Sequence, residues 1–322
     1  MKNNLKANLS WVGLMVIGFI ILGTMYSMGM MSPVLETALV MIGINIILGV
    51  GLNLVIGISG QFSLGHAGFM AIGAYATAII SMKNPTLLGF LIGLLVGVII
   101  SGLIALFVGI PTLRLSGDYL AIATLGVSEI IRILIMNLDG ITNGPAGLFG
   151  ITPFVTWSMV YVIVCLTTII TTNFINSAAG RATLSVRENE IAAESMGVNT
   201  TKYKVVAFVI GAMTAAVAGG LYASYIQTIV PANFDFMKSI DILIIVVFGG
   251  VGSITGTFIA AIVLGFLNMF LQDAGTIRMI VYALALIIIM IFKPSGLLGM
   301  KELSFKKIFN KGGRKNAPIK NK

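Results

Sequence analysis

The sequence predicts an all-α polytopic membrane protein of about ten transmembrane helices, one of them short or broken, with both termini cytoplasmic. Three observations lead there. Of 322 residues, 57% are hydrophobic and a further 38 are glycine, while only 10% are charged, against about 25% in a soluble domain. The 20 Lys and Arg with 11 Asp and Glu cannot cover the surface of a water-soluble chain this long. Apolar runs of about 20 residues, the length that crosses a hydrocarbon core as a helix, recur along the chain. The basic residues are also segregated: the net charge is +9, and Lys293, Lys301, Lys306, Lys307, Lys311, Arg314, Lys315, Lys320 and Lys322 stand against Glu302 alone at the C-terminus. Low charge with long apolar runs excludes a disordered chain, and the lone Cys165 excludes a disulfide framework.

The first run, 11–31, follows Met1-Lys2-Asn3-Asn4-Leu5-Lys6 and is too long for a signal-peptide core, so it reads as an uncleaved first span. Further runs are 34–57, 66–82, 86–110, 118–137, 155–175, 205–228, 253–271 and 276–292. That makes an odd number of crossings, which would put two basic termini on opposite sides and violate the excess of Lys and Arg expected in cytoplasmic segments. The short apolar stretch 239–250 supplies the missing crossing, ending where Gly249-Gly250-Val251-Gly252-Ser253 would break a helix. Lys2, Lys6, Arg114, Arg181, Arg187, Lys202, Lys204 and the tail then face the cytoplasm. Lys83, Lys238 and Arg278 lie near the outer surface with Glu36, Asp139, Asp235 and Asp273, and Arg132 lies within a span. The division is a membrane domain, 1–292, with a cytoplasmic loop at 176–204, and a basic tail, 293–322, suited to anionic lipid rather than nucleic acid.

Small residues recur every four positions at Gly89, Gly93 and Gly97, at Gly211, Ala215, Gly219 and Ala223, and at Ala212, Ala216, Gly220 and Ser224. Such rows let helix backbones approach closely in lipid. Two glycine clusters differ from them. Gly57 to Gly68 interrupts the apolar pattern with Gln61, Ser59, Ser63 and the only His, His66; Gly249 to Gly256 interrupts it again, with Gly249, Gly250 and Gly252 as the helix break. Paired interruptions in two halves point to discontinuous helices beside a central path. Polar groups in spans are functional candidates because they are costly in lipid: Asn45, Asn53, Gln61, Ser63 and His66 are candidates for path or gate. A structural hydrogen-bonding role for His66 stands level with a path role. Glu129 and Arg132, three apart on one helix face, suit a structural ion pair more than a substrate-sensing one. Asp241 and Asn268 suit helix caps or cross-links.

One His and one Cys leave no metal cluster, and no G-x-x-x-x-G-K-[ST] loop is present to bind phosphate. No catalytic residue, metal or bound cofactor is expected. Between the sixth and seventh spans, Ser185-Val186-Arg187-Glu188 has capping-box spacing, Ala192 and Ala193 favour helix and Gly197 suits a terminator. The spacing predicts one polar helix from Val186 to Met196, about 16 Å long at 1.5 Å per residue. With Glu188, Glu190 and Glu194 beside Arg187, it suits docking on a cytoplasmic partner better than lying on anionic headgroups.

This loop resembles the coupling loop of ABC-importer permeases, whose core is E-A-A-x-x-x-G: Ala192, Ala193 and Gly197 match, and Ile191 stands where the family has Glu, with Glu190 one place earlier. The phrase ENEIAAESMGVNTTKYK (188–204), together with GLNLVIGISGQFSLGHAGFMAIGAYATA (51–78), LSGDYLAIATLGVSEIIRI (115–133), TNGPAGLFGI (142–151) and GGVGSITGTFIAA (249–261), resembles branched-chain amino-acid permeases of the LivH/LivM type, closer to the LivM branch. The likeness covers about 35–300, and urea-import permeases share much of the pattern.

The resemblance implies a multi-pass subunit of a prokaryotic inner or plasma membrane importer for Leu, Ile or Val. It would work with a second, similar permease, two cytoplasmic ATPases that bind ATP and Mg, and an external solute-binding protein. It also implies that Arg187, Glu188, Glu190, Ala192, Ala193, Glu194 and Gly197 form the ATPase-coupling helix. The outer loop from Asp139 to Phe154, with Asn143, Gly144 and Pro145, becomes a candidate contact for the binding protein, and is equally consistent with an ordinary Gly-Pro turn. A permease for urea or another small amide, and a stand-alone channel or ion-coupled carrier, are the alternatives.

Overall fold

The computed structural model describes residues 2–115 and 117–271, with single positions at 284, 287 and 291 and a short turn at 296–299. Most of the predicted span 276–292 and of the tail 293–322 therefore lies outside the described residues, as do Asp273 and Arg278. In chain order the elements are α1 (Lys2–Ser27), α2 (Pro33–Asn53) with a π-helical end (Leu54–Ile58), α3 (His66–Lys83), α4 (Leu87–Thr112), α5 (Asp118–Asn137) and the single turn α6 (Asp139–Thr142). Then come a 3-10 turn (Gly144–Ala146), β1 (Leu148–Phe149), α7 (Trp157–Asn176), α8 (Ala178–Glu188), α9 (Glu190–Ser195), α10 (Thr200–Ile226), β2 (Thr228–Ile229), a second 3-10 turn (Pro231–Phe234), α11 (Phe236–Gly249) and α12 (Ile254–Phe270). Among the described residues, five helices are long and apolar enough to cross a membrane: α2 with its π extension, α4, α5, α7 and α10. The pair α11 and α12 passes the same test together, bent by 119° at its break.

Local chemistry sets the helix starts. Ser32, Thr86, Thr156, Ser177, Asn199, Asp235 and Ser253 each sit at an N-cap, and each side-chain oxygen accepts from a backbone N–H three residues on. These caps satisfy amides that a helix start leaves open.

The centre of the bundle is α2, α3 and α10. From Ile42 to Asn53, α2 is buried at almost every position. It is apolar all round because protein surrounds it, whereas α4 turns Leu88, Leu95, Leu103 and Phe107 outward. The small-residue rows make this centre possible. A side chain at Gly73 would strike the Ala216 carbonyl, and one at Gly219 the Met70 carbonyl. A Cβ at Gly93 would stand 2.9 Å from Thr77 Cα, and one at Gly97 would stand 3.0 Å from Gly73 Cα. The α4 row therefore faces α3, and α10 wedges its two rows between α2, α3 and α4. Phe69 meets Phe208 edge-on at 5.6 Å between ring centres, closing the gap between α3 and α10. By contrast α1 leans on α7, through Tyr161, which donates to the Met15 carbonyl, and Trp157, which packs on Phe19 and Tyr26.

At one end of the bundle lie residues 59–65, helices α8 and α9, and the break between α11 and α12. At the other, β1 pairs antiparallel with β2, Leu148 opposite Ile229. Both α11 and α12 meet α2 at Gly49, and α12 then runs back along it. A Cβ at Gly49 would stand 2.6 Å from Thr257 Cγ2 and 3.2 Å from Ile245 Cγ2, while Gly265 rests on Ile42, about two turns away.

The 176–204 loop departs from the single helix predicted over Val186 to Met196. Asn189 is extended (φ −159°, ψ 107°) and divides it into α8 and α9. Ser185 does not cap a helix: its hydroxyl donates back to the Ala182 carbonyl. Asn189 is the cap, its Oδ1 accepting from Ala192 N at 3.0 Å. An Asn side chain competes with the helix for a nearby amide, and here that local bond stops one helix and starts another.

Candidate functional site

The first interruption begins where α2 loosens into its π turn. Ser59 N donates to the Leu54 carbonyl and Gln61 N to the Val55 carbonyl, both at 3.1 Å, so the chain reverses tightly and re-enters the bundle as α3. The reversal is backed directly by the second interruption. A Cβ at Gly57 would run into Asn53 Oδ1 and Gly252 N and stand 2.7 Å from Gly252 Cα. Asn53 fastens the two together. Its Oδ1 accepts from Gly252 N at 2.8 Å, and its Nδ2 donates to the Ser253 carbonyl and to Thr257 Oγ1, both at 2.9 Å. Gly250 and Gly252 have φ of +116° and +90°, a region that L side chains rarely adopt.

Arg187 reaches this junction from the last turn of α8. Its Nη1 donates to the Gly57 carbonyl at 2.5 Å. Its stem lies over Gly60, where a Cβ would stand 3.0 Å from Arg187 Cγ, and the guanidinium lies over Gly252, whose Cβ would stand 3.3 Å from Nη1. The side chain is 21% exposed, against 66% for Glu188, whose carboxylate is 3.6 Å away. Arg187 therefore turns into the bundle, not out to a partner as the sequence reading has it.

The other predicted coupling residues divide by face. Glu188, Glu190, Ala192 and Glu194 are exposed, and between them Ile191 and Met196 are 79% and 84% exposed. Ala193 is buried with Val186. Glu190 Oε1 pairs with Lys204 Nζ at 2.5 Å, fastening α9 to the start of α10. Gly197 ends α9 at φ +81° with open space around it, and Val198 N closes on the Ala193 carbonyl.

Among the path candidates, Gln61, Ser63 and His66 are all buried around the first reversal, and Asn45 is half-buried further up α2. Ser63 Oγ accepts from Gly65 N, whereas Ser59 Oγ, both polar atoms of Gln61 and His66 Nε2 lie buried and find no hydrogen-bond partner among the described residues. Asn53 is committed to the second interruption through all its polar atoms, so it acts as a tie. Elsewhere Glu129 and Arg132 form the predicted pair at 2.7 Å on α5. In the opposite-end loop, Asn143 (φ +58°) donates to the Gly147 carbonyl at 2.9 Å; Asn143 and Pro145 are exposed, and Gly144 is buried over Asp139. Among the described residues, no three His, Cys, Asp or Glu converge as metal ligands.

One contact had no sequence reading: Leu297 N and Leu298 N donate to the carbonyls of Phe248 and Gly249 at 2.8 and 3.3 Å. The turn at 296–299 thus caps the end of α11. The Pro-Ser-Gly at 294–296 was the available signal, hidden by the basic residues on either side.

Central glycine-packed helices and a pair of surface helices tied to two apposed helix interruptions define an α-helical polytopic membrane protein. The family described as branched-chain amino acid transport system / permease component matches residues 34–292, and the chain belongs to that family. It is 36% identical over 266 residues, 72% of this chain and 62% of the relative, to the high-affinity branched-chain amino acid transport system permease protein LivM of Salmonella typhimurium. It is 25% identical to a probable branched-chain amino acid transport permease protein LivM of Methanocaldococcus jannaschii, over 73% of this chain and 77% of that one. It is 31% identical to the high-affinity branched-chain amino acid transport system permease protein LivH of Escherichia coli, over 45% of this chain and 48% of the relative. The match thus spans under two thirds of the Salmonella LivM. No solved structure matches.

Proposed function

We propose that this chain is the membrane-spanning permease subunit of an ATP-driven importer that moves branched-chain amino acids, Leu, Ile and Val, into a prokaryotic cell. The family match over 34–292 carries the reading, and the branched-chain names of the relatives favour it over a urea or small-amide permease. Its partners are a second, similar permease, two cytoplasmic ATPases that bind ATP and Mg, and an external solute-binding protein. The 119° bend between α11 and α12 supports counting them as two crossings, which with 276–292 makes ten and leaves both termini and α8–α9 in the cytoplasm.

In this reading the exposed face of α9, Ile191 and Met196 rimmed by Glu188, Glu190 and Glu194, inserts into a groove of an ATPase. ATP binding draws the ATPases together, α9 follows, and the permease pair opens its path to the other side. The opposite-end loop around Asn143, Gly144 and Pro145 receives the binding protein. The test is ATP hydrolysis by the purified complex: leucine-loaded binding protein should stimulate it, and stimulation by urea-loaded but not leucine-loaded protein would reassign the substrate.

A further inference from the structure

We propose that Arg187 is the positioning residue that transmits movement of the α8–α9 loop to the two helix interruptions. The proposal rests on the coupling role given to that loop above.

The Gly57 carbonyl belongs to the last turn of a helix, where carbonyls lack an intrahelical partner. Its donor comes from 130 positions further along the chain. The donor is a cation at the negative end of the α2 dipole, so dipole and hydrogen bond act in the same direction. Three glycines make room for it. Gly57 is pressed on Gly252, Gly60 lies bare beneath the Arg187 stem, and Gly252 lies beneath the guanidinium. Gly60 and Gly252 also hold positive φ, +72° and +90°. A side chain at any of the three would either strike the junction or strain its backbone.

The placement makes this contact a lever. Arg187 is two residues before Asn189, where the extended backbone redirects the chain into α9. A displacement of α9 therefore reaches Arg187 across one hinge. From Arg187 it passes to the Gly57 carbonyl, from Gly57 to Gly252 by direct backbone contact, and through Asn53 to Ser253 and Thr257 at the start of α12. Both halves of the bundle are thus moved from one side chain. The surface pairing with Glu188, a 3.6 Å contact to a mostly exposed carboxylate, contributes little. Lysine would keep the charge but lose the planar fork, one nitrogen of which lies over Gly252.

The test uses the complete complex, reconstituted with its ATPases, second permease and binding protein, and reads ATP hydrolysed per leucine imported. A structural defect lowers hydrolysis and uptake together; loss of transmission raises the ratio. Arg187→Ala should leave the ATPases co-purifying and raise the ratio at least about tenfold, the size expected from losing a hydrogen bond with a charged donor. Arg187→Lys should fall between Ala and wild type. A ratio within twofold of wild type for Arg187→Ala overturns the proposal, and so does loss of the ATPases from that variant, which would make Arg187 a docking residue. Should Arg187→Ala not accumulate, Arg187→Gln, which keeps much of the stem over Gly60, is held to the same threshold. Ile191→Asp separates the underlying reading: it should strip the ATPases from the complex, and if they stay attached the docking face is wrong whatever Arg187 does.

Discussion

Replacing Asn53 tests the junction on which the two halves of the bundle meet. Asn53→Ala removes two donated bonds and one accepted bond. The Ser253 carbonyl keeps the Thr257 hydroxyl as a donor at 2.9 Å, so the substitution does not orphan it. The Gly252 N–H loses its acceptor, costing about 1–3 kcal/mol, and each remaining neutral bond is worth about 1 kcal/mol. Allowing for Thr257 partly re-satisfying itself, the sum is about 2–4 kcal/mol. At about 2–4 °C per kcal/mol for a large domain, the unfolding midpoint should fall by roughly 4–16 °C. Asn53→Asp should be worse than Ala: it keeps the acceptor for Gly252 but turns a carboxylate oxygen toward the Ser253 carbonyl in a buried site. The assay is thermal unfolding of the detergent-solubilised chain, followed by size-exclusion chromatography with fluorescence detection. An Asn53→Ala midpoint within 1 °C of wild type, or Asp more stable than Ala, would refute the junction as described.

Other consequences follow from the same geometry. Gly57→Val would push a Cβ bearing two methyl groups into Gly252 and should sharply reduce the amount of folded chain in the membrane, measured by blot after detergent extraction. Gly197→Val meets open space but forces a β-branched residue to φ +81°; uptake should be lost while the membrane level stays near wild type, and normal uptake would show that the end of α9 need not be fixed. Glu190→Lys sets two like charges against each other where Lys204 now pairs, and should likewise abolish leucine uptake without lowering the membrane level. At the α5 pair, Glu129→Gln alone should cost more stability than Glu129→Gln with Arg132→Met, because removing one partner leaves an unpaired charge in the membrane region; equal midpoints would mean that the pair is solvated.

The spans α2, α4, α5, α7 and α10 were legible because a bilayer imposes a length, and a run of about 20 apolar residues leaves few alternatives to a helix. Small-residue rows such as Gly93–Gly97 and Gly211–Gly219 were equally plain, since only close packing in lipid requires that spacing. The loop was legible in composition but not in shape. Ser185 and Asn189 both have capping side chains, and only the fold decides that the Ser185 hydroxyl turns back to Ala182 while Asn189 takes the amide ahead. The meeting of the two interruptions was not legible at all. It depends on Asn53 finding Gly252 about two hundred positions away, and no local pattern distinguishes such an Asn from one lining a path. Arg187 misled for a similar reason: a charge in a polar loop reads as solvent-facing until an unpartnered carbonyl such as that of Gly57 is brought beneath it.

The central claim, that this chain is one permease of an ATP-driven branched-chain amino-acid importer, is tested most directly by leucine uptake into proteoliposomes. With the second permease, both ATPases, binding protein and ATP present, uptake should require this chain and cease when ATP is replaced by a non-hydrolysable analogue. Leucine entry through this chain alone, without ATPases or ATP, would contradict the account.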